Sequence, residues 1–463
     1  MLRKIIGLVL ACSMLLVILA ACTPSQPATP PATDGGGETA PAEELTSRER
    51  VYQIIERDPI RFSGIPPDYI NDRSHINKAV VGQEPRENLR IGMTMSYLGA
   101  PFFRVMESNL RELFEADGHE FTVQISDRNL EVAGQQIDAF IAQQKDLIIV
   151  HSPAQSHTAN YRRIAEAGIP VLATSNQLAD EMGSQATLFI SNSYAAGFNT
   201  GVYTARNVFD PANPDRVFNI AVVLNQVGSA DSETRGNAFT AGFLYGKAYM
   251  EGNQYDSIWD AMLDAYALWD EFMRRGTHRS DEFGINFMGF GQGETPDPPG
   301  GQRAANDLIT AHGRDMDILL IETCGMFHGG VDVVLHQHSI IPGQDVIVVG
   351  TADASRLGMQ SIKSGEILAL GYNSSAMIAM GAQQFTRGVF RDNDQDRMNN
   401  LIPNTIMPGP VVTRSNVDDF YDPESELARP FPVTLMTVTE YNAAVDPQAP
   451  PFDMIGLTVP LSN

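Results

Sequence analysis

Residues 89–114 have the sequence LRIGMTMSYLGAPFFRVMESNLRELF, and this stretch decides the fold. Its first part, residues 89–95, is a short apolar run typical of a buried strand. In its second part Phe102, Met106 and Leu110 recur at helical spacing. A strand followed directly by a helix is the first half of a crossover unit, so the stretch predicts a parallel sheet with helices on its faces.

The alternation of short apolar runs and helical patterns continues along the chain and restarts after residues 191–197. The further predicted strands are residues 121–125, 147–150, 169–173, 218–224, 318–321, 346–349 and 367–371. Two consecutive series of strands and helices of this size exceed what a single sheet usually contains. The sequence therefore predicts an α/β fold of two doubly wound parallel-sheet lobes, with a ligand cleft beyond the carboxyl ends of their strands.

The first residues have the order of a secretory signal. Arg3 and Lys4 precede an apolar run over residues 5–19, and small residues lead to Cys22. The apolar run is short of the roughly 20 residues that span a bilayer, which favours a cleaved signal over an anchor helix. Residues 19–22 resemble the bacterial lipobox, which implies a signal peptide over residues 1–21 and a lipid on Cys22. The Pro-, Thr- and Gly-rich residues 22–45 then predict a flexible tether.

Charge and cysteine usage exclude several classes of protein. The chain has 32 basic and 56 acidic residues, a formal charge of −24, which disfavours binding to nucleic acid or to anionic membrane surfaces. Of three cysteines, one lies in the predicted signal and one is the predicted lipid site. Only Cys324 remains, so no intrachain disulfide is expected in the mature chain and an apolar core must support the fold.

Three segments do not fit the repeat: an N-terminal extension (46–87), an insertion within residues 251–300, and a Pro-rich tail (421–463) that the pattern does not place. The insertion has an apolar stripe at helical spacing, formed by Tyr255, Ile258, Trp259, Met262, Tyr266, Trp269 and Met273. Such a stripe is either a docking surface or the face that packs on its own lobe, and the second interpretation is favoured.

Motifs in a fixed order resemble the periplasmic binding protein family of the ribose, galactose and xylose type. The matching stretches are residues 91–95 with 101–103, 167–171, 228–239, 346–350 with Asp353, 364–367, and 412–417. The resemblance covers about residues 88 to 420. It implies a three-stranded hinge, with residues 88–192 and 374–404 in the first lobe and 193–373 and 405–420 in the second.

The same resemblance implies a function. The chain is expected to be a monomeric receptor without cofactor or enzymatic activity, which delivers a sugar-like solute to the permease of an ABC transporter. The same receptors can instead present their ligand to a membrane sensor, and that alternative stays open. The expected ligand residues are Tyr97, Phe102, Phe103, Ser175, Asn176, Glu233, Cys324, Asp353 and Asn373.

Several of these positions depart from the ribose-type pattern. Ser175-Asn176 stands in place of an Asp-Arg pair, Glu233 in place of an inward arginine, and Cys324 in place of an asparagine. A buried polar group left unpaired costs about 1–3 kcal/mol, so the pocket is expected to reject ribose itself. The expected ligand is a larger sugar, a polyol or a cation paired with Glu233 and Asp353.

Two rival functions have weaker signals. The metal-site candidates are His328, His336 and His338, and the acidic run Asp392, Asp394 and Asp396. Histidines two apart on a helix point to different sides, and the acidic run lacks the glycine of a calcium loop, so a solvated surface is favoured. A thiol enzyme using Cys324, with His328 one helical turn away, is the second rival. The glycine-rich residues 289–293 precede prolines, which argues against a phosphate-binding helix.

Overall fold

The structure is a computed structural model, and part of the chain is described. The described residues are 78–151, 158–174, 187–191, 193–256, 258–401, 404–407, 409–430, 433–435, 437 and 440. The chain divides into two compact units, Met1–Glu44 and Leu45–Asn463, and every described residue belongs to the second. Predictions that lie outside the described residues are the signal peptide 1–21, the tether 22–45, Cys22, most of the extension 46–87, Ser175 and Asn176.

Among the described residues, the first sheet has six strands, all parallel, in the order β12-β5-β4-β3-β1-β2. The strands are β1 (Arg90–Met95), β2 (Glu120–Ile125), β3 (Leu147–His151), β4 (Val171–Thr174), β5 (Thr187–Ser191) and β12 (Asn404–Met407). Every residue of β3 and β4 is buried, as expected where helices cover both faces of a parallel sheet.

In the described part of the chain the second sheet has seven strands, in the order β13-β11-β10-β9-β6-β8-β7. They are β6 (Phe218–Leu224), β7 (His278–Ser280), β8 (Ile285–Gln292), β9 (Ile318–Ile321), β10 (Ile347–Gly350), β11 (Ile367–Gly371) and β13 (Val411–Thr413). Its inner strands are parallel, and the two edge strands β7 and β13 pair antiparallel. The prediction of two parallel-sheet α/β lobes is confirmed.

Helices connect the strands. They are α1 (Pro101–Ala116), α2 (Leu130–Ala142), α3 (Thr158–Glu166), α4 (Ser193–Val208), α5 (Ala230–Glu251), α6 (Ile258–Arg275), α7 (Pro298–His312), α8 (Cys324–Gln337), α9 (Arg356–Ser364), α10 (Ser375–Phe390), α11 (Gln395–Asn399) and α12 (Val417–Phe420). Local sequence fixes their ends: the Ser229 side chain accepts a hydrogen bond at the start of α5, and Gly252 ends it in the left-handed conformation. Within the described residues no helix has the length and apolar character needed to cross a membrane.

The chain passes between the two sheets at three places among the strands. It crosses between Ser191 and Ser193, between Gly371 and Ser375, and between Met407 and Val411. The third crossing differs from the boundary expected from the sequence, because residues 405–407 pair in parallel with β5 and so belong to the first sheet. Tyr372 N donates to Pro410 O at 2.8 Å, which ties two of the crossings together.

The apolar stripe of the insertion packs on its own lobe. Helix α6 lies against α5, and Tyr266 and Trp269 are fully buried in a cluster with Phe239, Phe272 and Phe287. The Trp269 and Phe272 rings make an edge contact with centroids 5.4 Å apart. The insertion therefore thickens the second lobe, as the favoured interpretation of the stripe predicts.

The expectation about residues 289–293 is wrong in one respect. A helix does follow this glycine-rich run, because Asp297 accepts a hydrogen bond from Gly300 N at 2.8 Å and caps α7. The prolines at its start suit the first helical turn, where no backbone donor is required. The glycines serve close packing: a Cβ at Gly291 would lie 1.7 Å from Ala304 O.

The start of the tail docks on both lobes. Arg356 N donates to Glu426 O and Ala428 N to Ala354 O, both at 2.9 Å, so this part pairs with the second lobe. Farther on, the Gln384 side chain of α10 donates to Val433 O at 2.9 Å. Helix α10 lies against α1 and β5 of the first lobe, so the tail runs from one lobe to the other.

Candidate functional site

The carboxyl edges of the two sheets border the same hinge. Ser191 ends β5 and Ser193 begins α4, so the first crossing leaves the first sheet at its carboxyl edge. Asn373 lies in the second crossing, two residues after the end of β11. Ligands of parallel sheets bind beyond this edge, so the space beside the hinge is the candidate site.

Three neighbouring strands of the first sheet end in polar residues. His151, Thr174 and Ser191 close β3, β4 and β5 and are at most 4% exposed. Their atoms His151 Nε2, Thr174 Oγ1 and Ser191 Oγ have no hydrogen-bond partner in the described part of the chain. Because buried polar atoms are nearly always paired, this row is suited to receiving donors and acceptors from a bound solute.

Aromatic rings stand beside this row. The Phe103 ring is 4.9 Å from the His151 ring and 6.1 Å from the Tyr97 ring, centroid to centroid, both in edge contacts. Phe102 instead belongs to the apolar core and is 6% exposed. The exposed Arg128 lies over the Tyr97 ring at 4.5 Å. The two phenylalanines therefore differ in environment: Phe103 lies beside the polar row, whereas Phe102 is packed in the apolar core.

His151 is held neutral in this position. Its Nδ1 lies 3.0 Å from Ser96 Oγ, at the end of the adjacent strand β1. Burial lowers the pKa of His151 from 6.5 to about 4. A neutral imidazole has one donor nitrogen and one acceptor nitrogen. Because Nδ1 is bonded to Ser96, Nε2 remains as the single polar atom available to a ligand.

On the second sheet, Asp353 and Asn373 form a pair. Asn373 Nδ2 donates to Asp353 Oδ1 at 2.9 Å. Asp353 Oδ2 and Asn373 Oδ1 are left without a partner among the described residues, and the two side chains are 2% and 5% exposed. Asp353 also has a positive φ of 61°, a conformation that costs a non-glycine residue energy and is concentrated at functional sites.

Arg235 and Glu322 lie behind Asp353. Arg235 donates to Thr323 Oγ1 at 3.0 Å and lies 3.4 Å from Glu322 Oε1. Glu322 also accepts from Asn225 N and from Ser232 Oγ, both at 2.7 Å. Burial disfavours the charged arginine, but the neighbouring carboxylates of Asp231, Asp353 and Glu322 outweigh it, and the pKa of Arg235 is raised.

The acids of this group are destabilised in their charged forms. Burial raises the pKa of Asp231, Glu322 and Asp353, and Arg235 opposes the rise in each. Asp231 and Arg235 are one helical turn apart on α5, which puts both side chains on one face of that helix. Together with the buried Asp353 they make an acid-rich patch at the carboxyl edge of the second sheet, in which Asp231 is partly exposed.

Glu233 is not part of this patch. Its Oε2 accepts a hydrogen bond from Trp269 Nε1 at 2.9 Å, so the carboxylate is turned toward α6. A residue two positions from Asp231 lies roughly 200° around the helix, given 3.6 residues per turn. The structure therefore brings Asp353 and Asn373 together and places Glu233 on the far side of α5.

Cys324 lies beneath the site and is fully buried. Burial, and then the charge of Asp353, raises the pKa of its thiol far above the ordinary value. A Cβ on Gly350 would lie 2.4 Å from Cys324 Cβ, which shows how tightly the residue is packed. A protonated, enclosed thiol is a poor nucleophile.

The metal-site candidates have other partners. His328 Nε2 lies 2.9 Å from Ser361 Oγ, and His336 lies 3.3 Å from Asp332. Arg391 engages Asp392 through a hydrogen bond of 2.7 Å. Among the residues that the structure describes, no group of three His, Cys, Asp or Glu side chains has a metal-binding arrangement.

Several site residues were not expected from the sequence. The expected ligand residues did not include Thr174, Ser191, Asp231, Glu322 and His151. The signal that finds four of these five is a polar residue at or directly after the end of a buried strand, because those positions converge at one edge of a parallel sheet.

Comparisons with known proteins agree with this architecture. Residues 91–386 match the family model described as a periplasmic binding protein domain. A search of curated proteins found no significant match.

Solved structures with the same fold include three solute-binding proteins of ABC transporters. One, from Mycobacterium smegmatis with bound glycerol, has a TM-score of 0.54 at 16% identity and covers 74% of this chain and 99% of its own. One from Bacillus halodurans with bound myo-inositol has a TM-score of 0.53 at 17% identity, covering 73% and 98%. One from Actinobacillus succinogenes with bound D-allose has a TM-score of 0.53 at 14% identity, covering 72% and 100%. At these identities the similarity shows the fold alone.

Proposed function

Because the chain belongs to the periplasmic binding protein family, we propose that it is an extracytoplasmic receptor that binds a small polyhydroxylated solute between its two lobes. The observation that carries the proposal is the set of unpartnered, buried polar atoms at the carboxyl edges of both sheets, beside the hinge. Leaving such atoms unpaired costs about 1–3 kcal/mol each, which a solute with matching hydroxyls would recover.

The chemistry of the edge suits a sugar or a polyol. These solutes present hydroxyls that both donate and accept, together with apolar C–H faces. Asp353 Oδ2 and Asn373 Oδ1 offer acceptors, His151, Thr174 and Ser191 offer groups of either kind, and the Phe103 ring offers an apolar surface. Proteins of this fold with bound glycerol, myo-inositol and D-allose support the same class of ligand.

Binding is proposed to stabilise a closed arrangement of the lobes. A solute that contacts His151 on one lobe and Asp353 on the other gains both sets of contacts only when the lobes are close. It then shifts the equilibrium toward closure by its difference in affinity for the two forms. The three crossings supply the hinge around which that motion occurs.

The partner is proposed to be the permease of an ABC transporter, which recognises the closed form. A lipid on Cys22 and the tether over residues 22–45 would hold the receptor beside that permease. Presentation of the ligand to a membrane sensor uses the same closed form. Deletion of this protein's gene separates the two, since uptake of the ligand is lost only if the partner is a permease.

Thermal-shift screening of the mature protein against sugars and polyols tests the proposal. A ligand is expected to raise the Tm of the wild type and to have little effect on Asp353→Ala. A panel without any stabilising member contradicts the proposed ligand class. A thiol enzyme predicts instead that Cys324→Ala abolishes turnover of a bound solute, whereas a receptor leaves every solute unchanged.

A further inference from the structure

The charge of the site is unbalanced on the second lobe. Asp231, Glu322 and Asp353 are acidic, and Arg235 is the cation that acts on all three. Arg235 contacts Glu322 directly, whereas the contact of Asp353 is with the neutral amide of Asn373. The carboxylate of Asp353 therefore has no cation in hydrogen-bonding contact among the described residues, although it is 2% exposed.

Among the described residues of the first lobe, the row His151, Thr174 and Ser191 does not correct the imbalance. His151 is neutral near pH 7, and Thr174 and Ser191 carry no charge.

Two basic residues of the first lobe, Arg128 and Arg104, are exposed and otherwise engaged. Arg128 lies over the Tyr97 ring at 4.5 Å, and Arg104 pairs with Glu426 at 3.1 Å. A buried charge without a partner is costly, so a positive charge brought by the ligand would be more favourable here than in a neutral pocket.

We propose that the solute carries a protonated amine, as an amino sugar or an amino polyol does, and that this ammonium binds Asp353 Oδ2 and Asn373 Oδ1. The proposal rests on the proposed function and specifies its ligand class. An ammonium has three donors and no acceptor, which matches two unpartnered acceptor oxygens on adjacent side chains. The remaining hydroxyls would bind the neutral row His151, Thr174 and Ser191.

Calorimetry with matched pairs of solutes tests the proposal. The probes are glucose, galactose, mannose and an inositol, each compared with its amino analogue and with the N-acetylated form, whose nitrogen is uncharged. At least one amine is expected to bind about tenfold or more tightly than both its neutral partners, as for a charge-assisted hydrogen bond in place of a neutral one. Asp353→Asn is expected to remove that preference, so that the amine and its neutral partners bind the variant with similar affinity, whatever loss of affinity they share.

A second variant guards against a folding defect. Asp231→Asn lowers the negative charge without touching the proposed ammonium contact, and it is expected to reduce the preference for the amine only partly. Far-ultraviolet circular dichroism confirms that both variants fold. The control is Asp345→Asn, which alters an ion pair with Arg314 and should leave the preference unchanged.

The possible results distinguish the proposed ammonium contact from the proposed binding of a polyhydroxylated solute. Neutral members that bind as tightly as the amines overturn the inference and leave the proposed function standing. A preference for the amine that survives in Asp353→Asn also overturns it. If no member of any pair binds, the inference and the proposed ligand class fall together.

Discussion

Asn373 donates a hydrogen bond to Asp353 and thereby joins a hinge crossing to the edge where the ligand is expected. The distance from Asn373 Nδ2 to Asp353 Oδ1 is 2.9 Å, and each side chain keeps one unpartnered oxygen among the described residues. Asn373 lies between β11 of the second sheet and α10, which packs on the first lobe. A solute bound to this pair therefore contacts the segment that must move when the lobes close.

Replacing Asn373 by alanine is expected to weaken ligand binding by about 10- to 100-fold, because one ligand contact is lost and Asp353 Oδ1 is left unpaired. Calorimetry with a ligand from the screen measures the change. Asn219→Ala is the matched control, since Asn219 donates to Asp315 O at 2.8 Å at the opposite end of the sheet. Equal losses in the two variants would contradict the assigned role of Asn373.

Trp269→Phe is expected to lower stability without altering ligand affinity. The substitution leaves the buried Glu233 carboxylate without the indole donor, at a cost of about 1–3 kcal/mol in the free energy of unfolding. Urea unfolding measures that cost and calorimetry measures the affinity. Glu233→Gln, which keeps an acceptor for the indole, is the milder companion. Loss of affinity in Glu233→Gln with unchanged stability would instead place Glu233 in the ligand site.

The stability of the protein is expected to fall as the pH is lowered from 6.5 toward 4, in part because of His151. The pKa of this residue is lowered by burial from 6.5 to about 4, so the unfolded chain takes up a proton in this window that the folded chain does not. Stability then decreases with falling pH, by roughly 3 kcal/mol at full effect. Urea unfolding across this range measures it.

The variant His151→Gln isolates that contribution. The difference between wild type and variant should shrink as the pH falls, since other groups titrate equally in both. His336→Gln, which replaces an exposed histidine, is the control. A difference that does not change with pH would show that His151 is not buried in its neutral form.

The ion pair between Arg104 and Glu426 is expected to favour the closed form. Arg104 belongs to α1 of the first lobe, while Glu426 belongs to the tail segment paired with the second, and their side chains approach to 3.1 Å. Both are well exposed, so the pair is worth at most about 1 kcal/mol, or about a fivefold change in the closed-to-open ratio.

Charge reversal separates this ion pair from other effects. Arg104→Glu and Glu426→Arg should each raise the open fraction in single-molecule fluorescence between labelled lobes, and the double reversal should restore it. Added salt should reduce the difference. Reversal of the Arg314–Asp345 pair, which lies within the second lobe, is the control. Failure of the double variant to recover would mean that the ion pair has no part in closure.

The fold was predictable because its signals are local. Fully apolar runs such as residues 147–150 alternate with helical patterns, and that alternation alone specifies covered parallel sheets. Polar residues at or directly after the ends of buried strands, such as His151 at the end of β3 and Glu322 after β9, can be read from the sequence in the same way. Their convergence follows from topology, because the carboxyl ends of parallel strands lie at one edge.

The contact made by Glu233 was not predictable. A motif gives the position of a residue along a helix, but it does not say which neighbouring element that side of the helix packs against. The insertion supplies Trp269 as a partner, and a tryptophan 36 residues farther along the chain has no signature in the motif itself. The docking of the tail was equally hidden. It depends on backbone hydrogen bonds from Ala428 and Arg356, which leave no side-chain pattern in the sequence.

A crystal structure of the mature protein with a solute from the screen tests the central claim most directly. We expect one solute between the sheets, hydrogen-bonded to Asp353 Oδ2 and Asn373 Oδ1 on one lobe and to His151 Nε2 on the other. A solute bound away from the hinge, with those three atoms still unpartnered, would contradict it.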